Sequence, residues 1–171
     1  MDGRKNMSFL EQKDLKLRLE DEIPKFLDGE TRRLALEFAA YLRANKMQPS
    51  WQSTNSWKSL HKGQNVCVIR LLEGSWRVVP RISRWNKLIN SYDIYEKELE
   101  EAGLKEIVAA NVNHCRSCAG CAPGWKISIF ETEHENVCHN VPVWYKDPGE
   151  AELNCVRTVL ELMKRTIGCA K

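Results

Sequence analysis

The fold is decided by residues 66–80, which read VCVIRLLEGSWRVVP. Two runs of β-branched and other apolar side chains are separated by Glu73-Gly74-Ser75, which is a turn sequence. The pattern predicts a β-hairpin whose first arm is a central strand of a sheet. Pro80 cannot donate a backbone hydrogen bond, so the second arm should end at a sheet edge.

Two helices are expected before this hairpin. Ser8 and Glu11 have the spacing of a capping box, which predicts a first helix over residues 9 to 22 that ends before Pro24. Apolar residues at helical spacing predict a second helix over residues 30 to 45. Its cap would be one of two residues, Asp28 or Thr31.

Extended segments surround the hairpin, and more helices follow it. Residues 51–58 are expected to form a polar strand with bulky aromatics, and residues 104–112 form either a short helix or a strand. The alternation of residues 125–130 predicts a strand, whereas the polar residues 131–136 predict a connector. The last helix should begin with Asp147 as its N-cap.

This order of elements predicts an α+β fold, with a mainly antiparallel sheet, flanking helices and a C-terminal loop stapled by a metal ion. Residues 1–47 would form N-terminal helices, and residues 48–171 would form an α+β domain that carries a cysteine-rich loop at 114–139. A chain of 171 residues can bury a core of its own, so the metal need not hold the whole fold together.

The cysteine-rich loop contains the strongest chemical signal in the chain. Residues 114–124 read HCRSCAGCAPG, with two residues between successive cysteines, and another cysteine follows beside His139. Structural zinc sites use four nitrogen or sulfur ligands in a tetrahedron, with His114 and His139 as alternatives to a thiolate here. The four predicted ligands are Cys115, Cys118, Cys121 and Cys138.

An iron–sulfur cluster at the same cysteines is the alternative cofactor. The spacing matches the start of a bacterial ferredoxin run, but Ala122-Pro123-Gly124 follows where a further local cysteine is usual. Cys138 could complete either centre. A site closed by four thiolates is more often structural than catalytic, so an enzyme is not the expected class.

The composition of the chain limits which cellular compartments and which partners are expected. The chain has 26 basic and 23 acidic residues, which leaves no strong electrostatic signal for nucleic acid. The first residues lack the apolar core of a secretion signal, and no apolar run is long enough to cross a membrane. The odd count of seven cysteines and the clustered spacing of several of them then favour metal-bound thiols in the cytoplasm over a disulfide framework.

Several segments of the chain together carry a likeness to known sequences. They are Ser56-Trp57-Lys58, residues 63–69, Gly74-Ser75-Trp76, residues 112–130 and residues 135–138, and the likeness continues through the last helix. In these segments the chain resembles a family of small uncharacterised proteins common in clostridial-type bacteria. This resemblance implies an α+β fold distantly similar to gyrase-inhibitor-like domains of unknown function, and it implies no activity.

Tryptophans and arginines suggest two ligand sites, each with a plainer explanation. Trp51, Trp57 and Trp76 lie on neighbouring predicted strands and could line a pocket for a flat or cationic small molecule, or fill the space between sheet and helices. The arginines of the hairpin could bind an anion or form a solvated face. These are Arg70, Arg77, Arg81 and Arg84.

Three functions remain open from the sequence. The first is a zinc-stapled cytoplasmic module that binds a small molecule or a peptide. The second is an iron–sulfur protein that transfers electrons or senses redox state. The third is a small hydrolase with its acid–base residues in the aromatic pocket.

Overall fold

The computed structural model describes residues 17–81, 92–116, 123–129, 132–138 and 140–169. These residues form helices and antiparallel sheets, which confirms the predicted α+β class. The helices are α1 (Leu19–Phe26), α2 (Gly29–Ala44), α3 (Tyr92–Glu101), α4 (Lys105–Ala110) and α5 (Glu150–Cys169). The strands are β1 (Gln48–Ser53), β2 (Ser56–His61), β3 (Gln64–Leu72), β4 (Ser75–Pro80), β5 (Trp125–Ile129), β6 (Thr132–Val137) and β7 (Tyr145–Lys146).

The predicted hairpin is present, and its first arm is the middle strand of a five-stranded sheet. The strand order is β1-β2-β3-β4-β7, with every neighbouring pair antiparallel. Gly74 turns β3 into β4 with a φ of 65°, a conformation that glycine adopts without steric cost. Pro80 pairs with Cys67 at the end of β4, beyond the two β4 residues that β7 contacts.

Residues 51–58 form two strands, so the prediction of one strand is wrong. The chain turns at Thr54 and Asn55, and Trp51 then pairs directly with Trp57. Asn55 has a φ of 52°, in the left-handed region that asparagine tolerates better than most residues. The run Ser53-Thr54-Asn55-Ser56 is composed of residues typical of turns, and it is the signal that could have indicated two strands.

Helix α1 continues through Pro24, so the prediction that it ends earlier is wrong; residues 9 to 16 of that expected helix lie outside the described residues. Leu19, Ile23 and Phe26 are buried at helical spacing. Proline in a helix removes one backbone hydrogen bond. Burial of the apolar face on the sheet outweighs that local cost.

Residues 131–136 do not form a connector, because Thr132–Val137 is strand β6 in a two-stranded sheet with β5. Its polarity has a local explanation. Lys126 on β5 places its Nζ 2.7 Å from a carboxylate oxygen of Glu133 and 3.2 Å from one of Glu135. Opposite charges on facing strands stabilise a pair that buries little apolar surface.

Asp147 is not the N-cap of the last helix. It has a φ of 46°, and its carboxylate accepts hydrogen bonds from the Ser75 hydroxyl at 2.7 Å and the Trp76 backbone N–H at 2.8 Å. The cap lies two residues later, where the Gly149 N–H donates to Glu152 Oε2 at 3.1 Å. Asp147 therefore joins β7 to the start of β4.

The remaining local predictions have mixed outcomes. Helix α2 follows Asp28 as expected, although the Asp28 side chain makes no capping hydrogen bond. Residues 104–112 contain the short helix α4, which resolves the open alternative. Of the four hairpin arginines, Arg84 lies outside the described residues.

The hydrophobic core lies between one face of the five-stranded sheet and helices α1, α2 and α5. Phe38 of α2 contacts Trp76 edge to face, with ring centroids 6.1 Å apart. The N-terminal helices and the later α+β elements share this core. No helix among the described residues has the length and apolar character that crossing a bilayer requires.

Candidate metal centre

The two described cysteines of the predicted site, Cys115 and Cys138, lie on paired backbone segments. His114 and Val137 form an isolated antiparallel bridge. On either side of it, the Cys115 N–H donates to the Asn136 carbonyl at 2.6 Å, and the Cys138 N–H donates to the Asn113 carbonyl at 2.7 Å. Val137 also pairs with Trp125 of β5, so at this residue β6 lies between β5 and the segment that contains His114.

Both cysteines extend to the same side of this pairing. Each is the neighbour of a bridge residue, and successive residues of an extended chain point to opposite faces. Cys115 and Cys138 therefore occupy diagonal positions on the face opposite to His114 and Val137. Diagonal neighbours have Cα atoms about 7–8 Å apart, somewhat beyond the usual disulfide range of about 4.4–6.8 Å. This spacing suits two thiolates on one ion better than a direct sulfur–sulfur bond.

Gly124 closes the cysteine loop against its own start. A Cβ added at Gly124 would lie 2.7 Å from Cys115 Cβ and 2.8 Å from the Asn136 carbonyl carbon. Real Cβ atoms do not approach other atoms so closely, hence only glycine fits here. The loop that contains Cys118 and Cys121 therefore begins and ends at one place.

Asn136 fixes the backbone of this site, and the sequence analysis did not single it out. It has a φ of 55° and lies at a bulge, since the register between β5 and β6 shifts there by one residue. Its side-chain amide donates to the Cys115 carbonyl at 3.1 Å. Asparagine tolerates the left-handed region and bonds nearby backbone, which is the signal that could have identified it.

The other two predicted ligands, Cys118 and Cys121, lie outside the described residues, as does His139. In the part of the chain that the structure describes, no three histidine, cysteine, aspartate or glutamate side chains gather closely enough to hold a metal ion. His114 is exposed, and its Nδ1 lies 3.0 Å from the Glu135 carbonyl oxygen. Zinc and iron–sulfur ligation at the four cysteines both stay predictions.

Cys67 and Cys155 belong to a different environment. Both are fully buried in the hydrophobic core. Burial raises the pKa of the Cys67 thiol to about 12, and burial also raises the pKa of Cys155, whose Sγ lies 3.4 Å from the Tyr145 hydroxyl. These thiols stay protonated at neutral pH and serve as small apolar side chains.

The three tryptophans proposed as a ligand site share one sheet face. Register places Trp51 opposite Trp57, Trp57 opposite Ile69, and Trp76 opposite Leu71. Trp57 and Trp76 are 1% and 0% exposed, and the Trp57 indole donates to the Leu17 carbonyl at 2.9 Å. Both rings fill the space between sheet and helices, and Trp51 is only partly covered.

A basic surface lies beside the cysteine segment. The Arg77 guanidinium lies 4.3 Å from the centre of the Trp144 ring. Burial lowers the pKa of Arg77, and the like charges of Arg70 and Arg116 lower it further, while Asp147 acts in the opposite direction. Arg116 directly follows Cys115, so the cysteine loop contributes to this surface.

Comparisons with models of known protein families, with curated proteins and with solved structures found no match for this chain. The resemblance to small clostridial proteins therefore stays a prediction from the sequence. The site must be interpreted from its own geometry and chemistry.

Proposed function

We propose that the protein is a binding module for a small molecule or a peptide. One zinc ion, held by Cys115, Cys118, Cys121 and Cys138, would staple its cysteine loop. The observation that carries this proposal is the diagonal, same-face arrangement of Cys115 and Cys138 on paired backbone. Residues distant in sequence are thereby brought to one side of a short sheet. A zinc ion with Zn–S distances of about 2.3 Å would bridge them.

Chain length supports the inclusion of the other two cysteines. Three residues of chain span at most about 11 Å between Cα atoms. Cys118 follows Cys115 by three residues, and Cys121 precedes Gly124 by three. Since Gly124 is packed against Cys115, the chain on either side is short enough to let all four thiols reach one ion.

A structural role is favoured over catalysis. Four thiolates fill every position of a tetrahedral zinc ion and leave none for water or substrate. The acidic residues nearest in sequence to Cys138 on β6 are Glu133 and Glu135, which would be the candidates for a general base. Both carboxylates already pair with Lys126. The ion would instead order a segment with little core of its own, because zinc binding to short peptides supplies on the order of 10 kcal/mol.

Metal analysis of protein purified without oxygen tests this proposal. We expect one equivalent of zinc and a colourless sample. Iron with a brown absorbance band would replace the zinc staple with the iron–sulfur alternative. A protein that binds neither metal would overturn both.

The Cys118→Ser variant tests the structural role, with Cys169→Ser as the matched control outside the loop. Cys118→Ser should lose zinc and melt several degrees lower, at about 2–4 °C for each kcal/mol lost. Cys169→Ser should keep its zinc. If Cys118→Ser lost zinc but melted like the unmodified protein, the ion would not be a staple.

A further inference from the structure

Three basic side chains form a row across the outer face of the five-stranded sheet. Arg70 on β3 pairs with Arg77 on β4, and Arg77 pairs with Lys146 on β7. Directly paired residues share a face, with Cβ atoms about 4.5–5.5 Å apart. The adjacent row on these strands is buried, so the basic row points away from the core. That buried row is Ile69, Val78 and Tyr145.

Arg116, at the start of the cysteine loop, is close enough for its like charge to lower the pKa of Arg77. The Arg77 side chain is held against Trp144, and its buried Nε has no hydrogen-bond partner among the described residues. None of the four basic side chains forms an ion pair with a described carboxylate. Asp147 is the nearby acid, but its oxygens accept hydrogen bonds from Ser75 and Trp76.

The like charges of this row repel each other, and a bound anion would relieve that repulsion. Like charges directly opposite on neighbouring strands repel each other, and this row contains two such pairs in succession. Guanidinium groups present forked N–H donors that match the oxygens of phosphate, and stacking on an aromatic ring holds one of them in place. The row therefore has the features of a preformed oxyanion site.

We propose that Arg70, Arg77, Lys146 and Arg116 bind the phosphoryl group of a small ligand, such as a phosphate monoester or a diphosphate. The cluster is compact, with one basic residue on each of three strands and one on the adjoining loop. Nucleic acid would require a longer basic track, and the whole chain has a net charge of only +3. A small ligand with two or more charges fits the cluster better.

This inference goes beyond the zinc staple and depends on it only through Arg116. Arg70, Arg77 and Lys146 are positioned by the five-stranded sheet, which has its own core. Zinc content and anion binding are measured separately. A zinc-free protein that still binds phosphate would contradict the staple alone, whereas a zinc-loaded protein that binds none would contradict this inference alone.

Calorimetric titration of the full chain with sodium pyrophosphate at constant ionic strength tests the proposal. The unmodified protein should bind one equivalent, and inorganic phosphate should bind at the same site with lower affinity. Arg70→Gln and Lys146→Gln should each weaken pyrophosphate binding by about tenfold or more. Both residues are exposed, so these variants should fold normally.

The control is Lys62→Gln, which removes the same charge at the β2–β3 turn. That turn lies on the order of 20 Å from Arg70 along β3. Lys62→Gln should leave pyrophosphate binding within about twofold of the unmodified protein. Equal weakening by Arg70→Gln and Lys62→Gln would show general charge attraction and overturn the site.

Two further outcomes would also overturn it. One is an absence of measurable pyrophosphate binding at millimolar concentration. The other is much tighter binding of a single-stranded oligonucleotide than of pyrophosphate, with a steep salt dependence, which would assign the surface to nucleic acid.

Discussion

The five-stranded sheet and the cysteine lobe differ in what holds them together. The cysteine lobe comprises residues 113–115, 123–129 and 132–138. The inner face of the large sheet is covered by three helices and contains tryptophans that are almost completely buried. In β6, by contrast, Val137 is the one buried residue of six. A two-stranded sheet of this kind is marginally stable by itself, and of the lobe's described side chains only Ile127 and Val137 are buried in the core.

The difference between the two regions gives the proposed zinc ion a physical role. Aromatic and aliphatic burial stabilises the large sheet without help. In the lobe, ion pairs such as Lys126–Glu133 are exposed and contribute at most about 1 kcal/mol each. Four convergent thiolates would supply locally what burial does not.

Trp76→Ala should have the largest effect on global stability. Trp76 is completely buried and contacts Phe38, so truncation should lower the free energy of unfolding by about 3–5 kcal/mol. Urea denaturation followed by circular dichroism measures the loss. Trp51→Ala, at a partly covered position on the same face, should cost less than half as much. Equal losses would contradict the expectation that the more deeply buried Trp76 contributes more to stability than Trp51.

Gly124→Ala should disturb the lobe and leave the large sheet intact. The new Cβ would collide with Cys115 and with the Asn136 backbone, at a cost of about 1–3 kcal/mol. Competition with a chelator should show weaker zinc binding. Gly149→Ala is the control, because its Cβ would meet only the end of the Glu152 side chain, at 3.2 Å. If the two variants retained zinc equally, Gly124 would not close the loop.

Asn136→Ala and Asn136→Gly separate two smaller effects at the bulge. Glycine accepts the φ of 55° without strain and loses only the hydrogen bond to the Cys115 carbonyl, about 1 kcal/mol. Alanine loses that bond and also adds left-handed strain of roughly 1 kcal/mol. The alanine variant should therefore melt at a lower temperature than the glycine variant in thermal denaturation. The reverse order would contradict the left-handed backbone conformation at position 136.

Thiol labelling compares the cysteines of the two regions without any substitution. The thiolate is the reactive form, and the raised pKa of Cys67, about 12, keeps that thiol protonated at pH 8. After removal of zinc by a chelator, Cys115 and Cys138 should be alkylated in the folded protein. Cys67 and Cys155 should react only in denaturant. Mass spectrometry of peptides measures the order, and early alkylation of Cys67 would contradict its burial.

The sequence predicted the elements whose signals are local. The hairpin at residues 66–80 contains its strands and its turn in one continuous stretch, and helix α2 contains its apolar face. The errors occurred where distant partners decide the structure. Pro24 remains in α1 because the helix packs on the sheet, and Asp147 bonds to Ser75, which is 72 residues away.

The sequence offered four candidate ligands, and the structure describes two of them, Cys115 and Cys138, on paired backbone segments. Shared ligation of one ion by all four stays a prediction. The contact between Gly124 and Cys115 depends on a bulge at Asn136, which single residues do not specify. The basic row depends on the register of three strands, so hairpin alternation could not add Lys146.

X-ray absorption at the zinc edge of the purified full chain is the most direct test of the staple. Four sulfur neighbours at about 2.3 Å are expected, one from each of the four cysteines. A spectrum that shows fewer than four sulfur atoms bound to zinc, or nitrogen or oxygen ligands, would contradict a centre closed by Cys115, Cys118, Cys121 and Cys138.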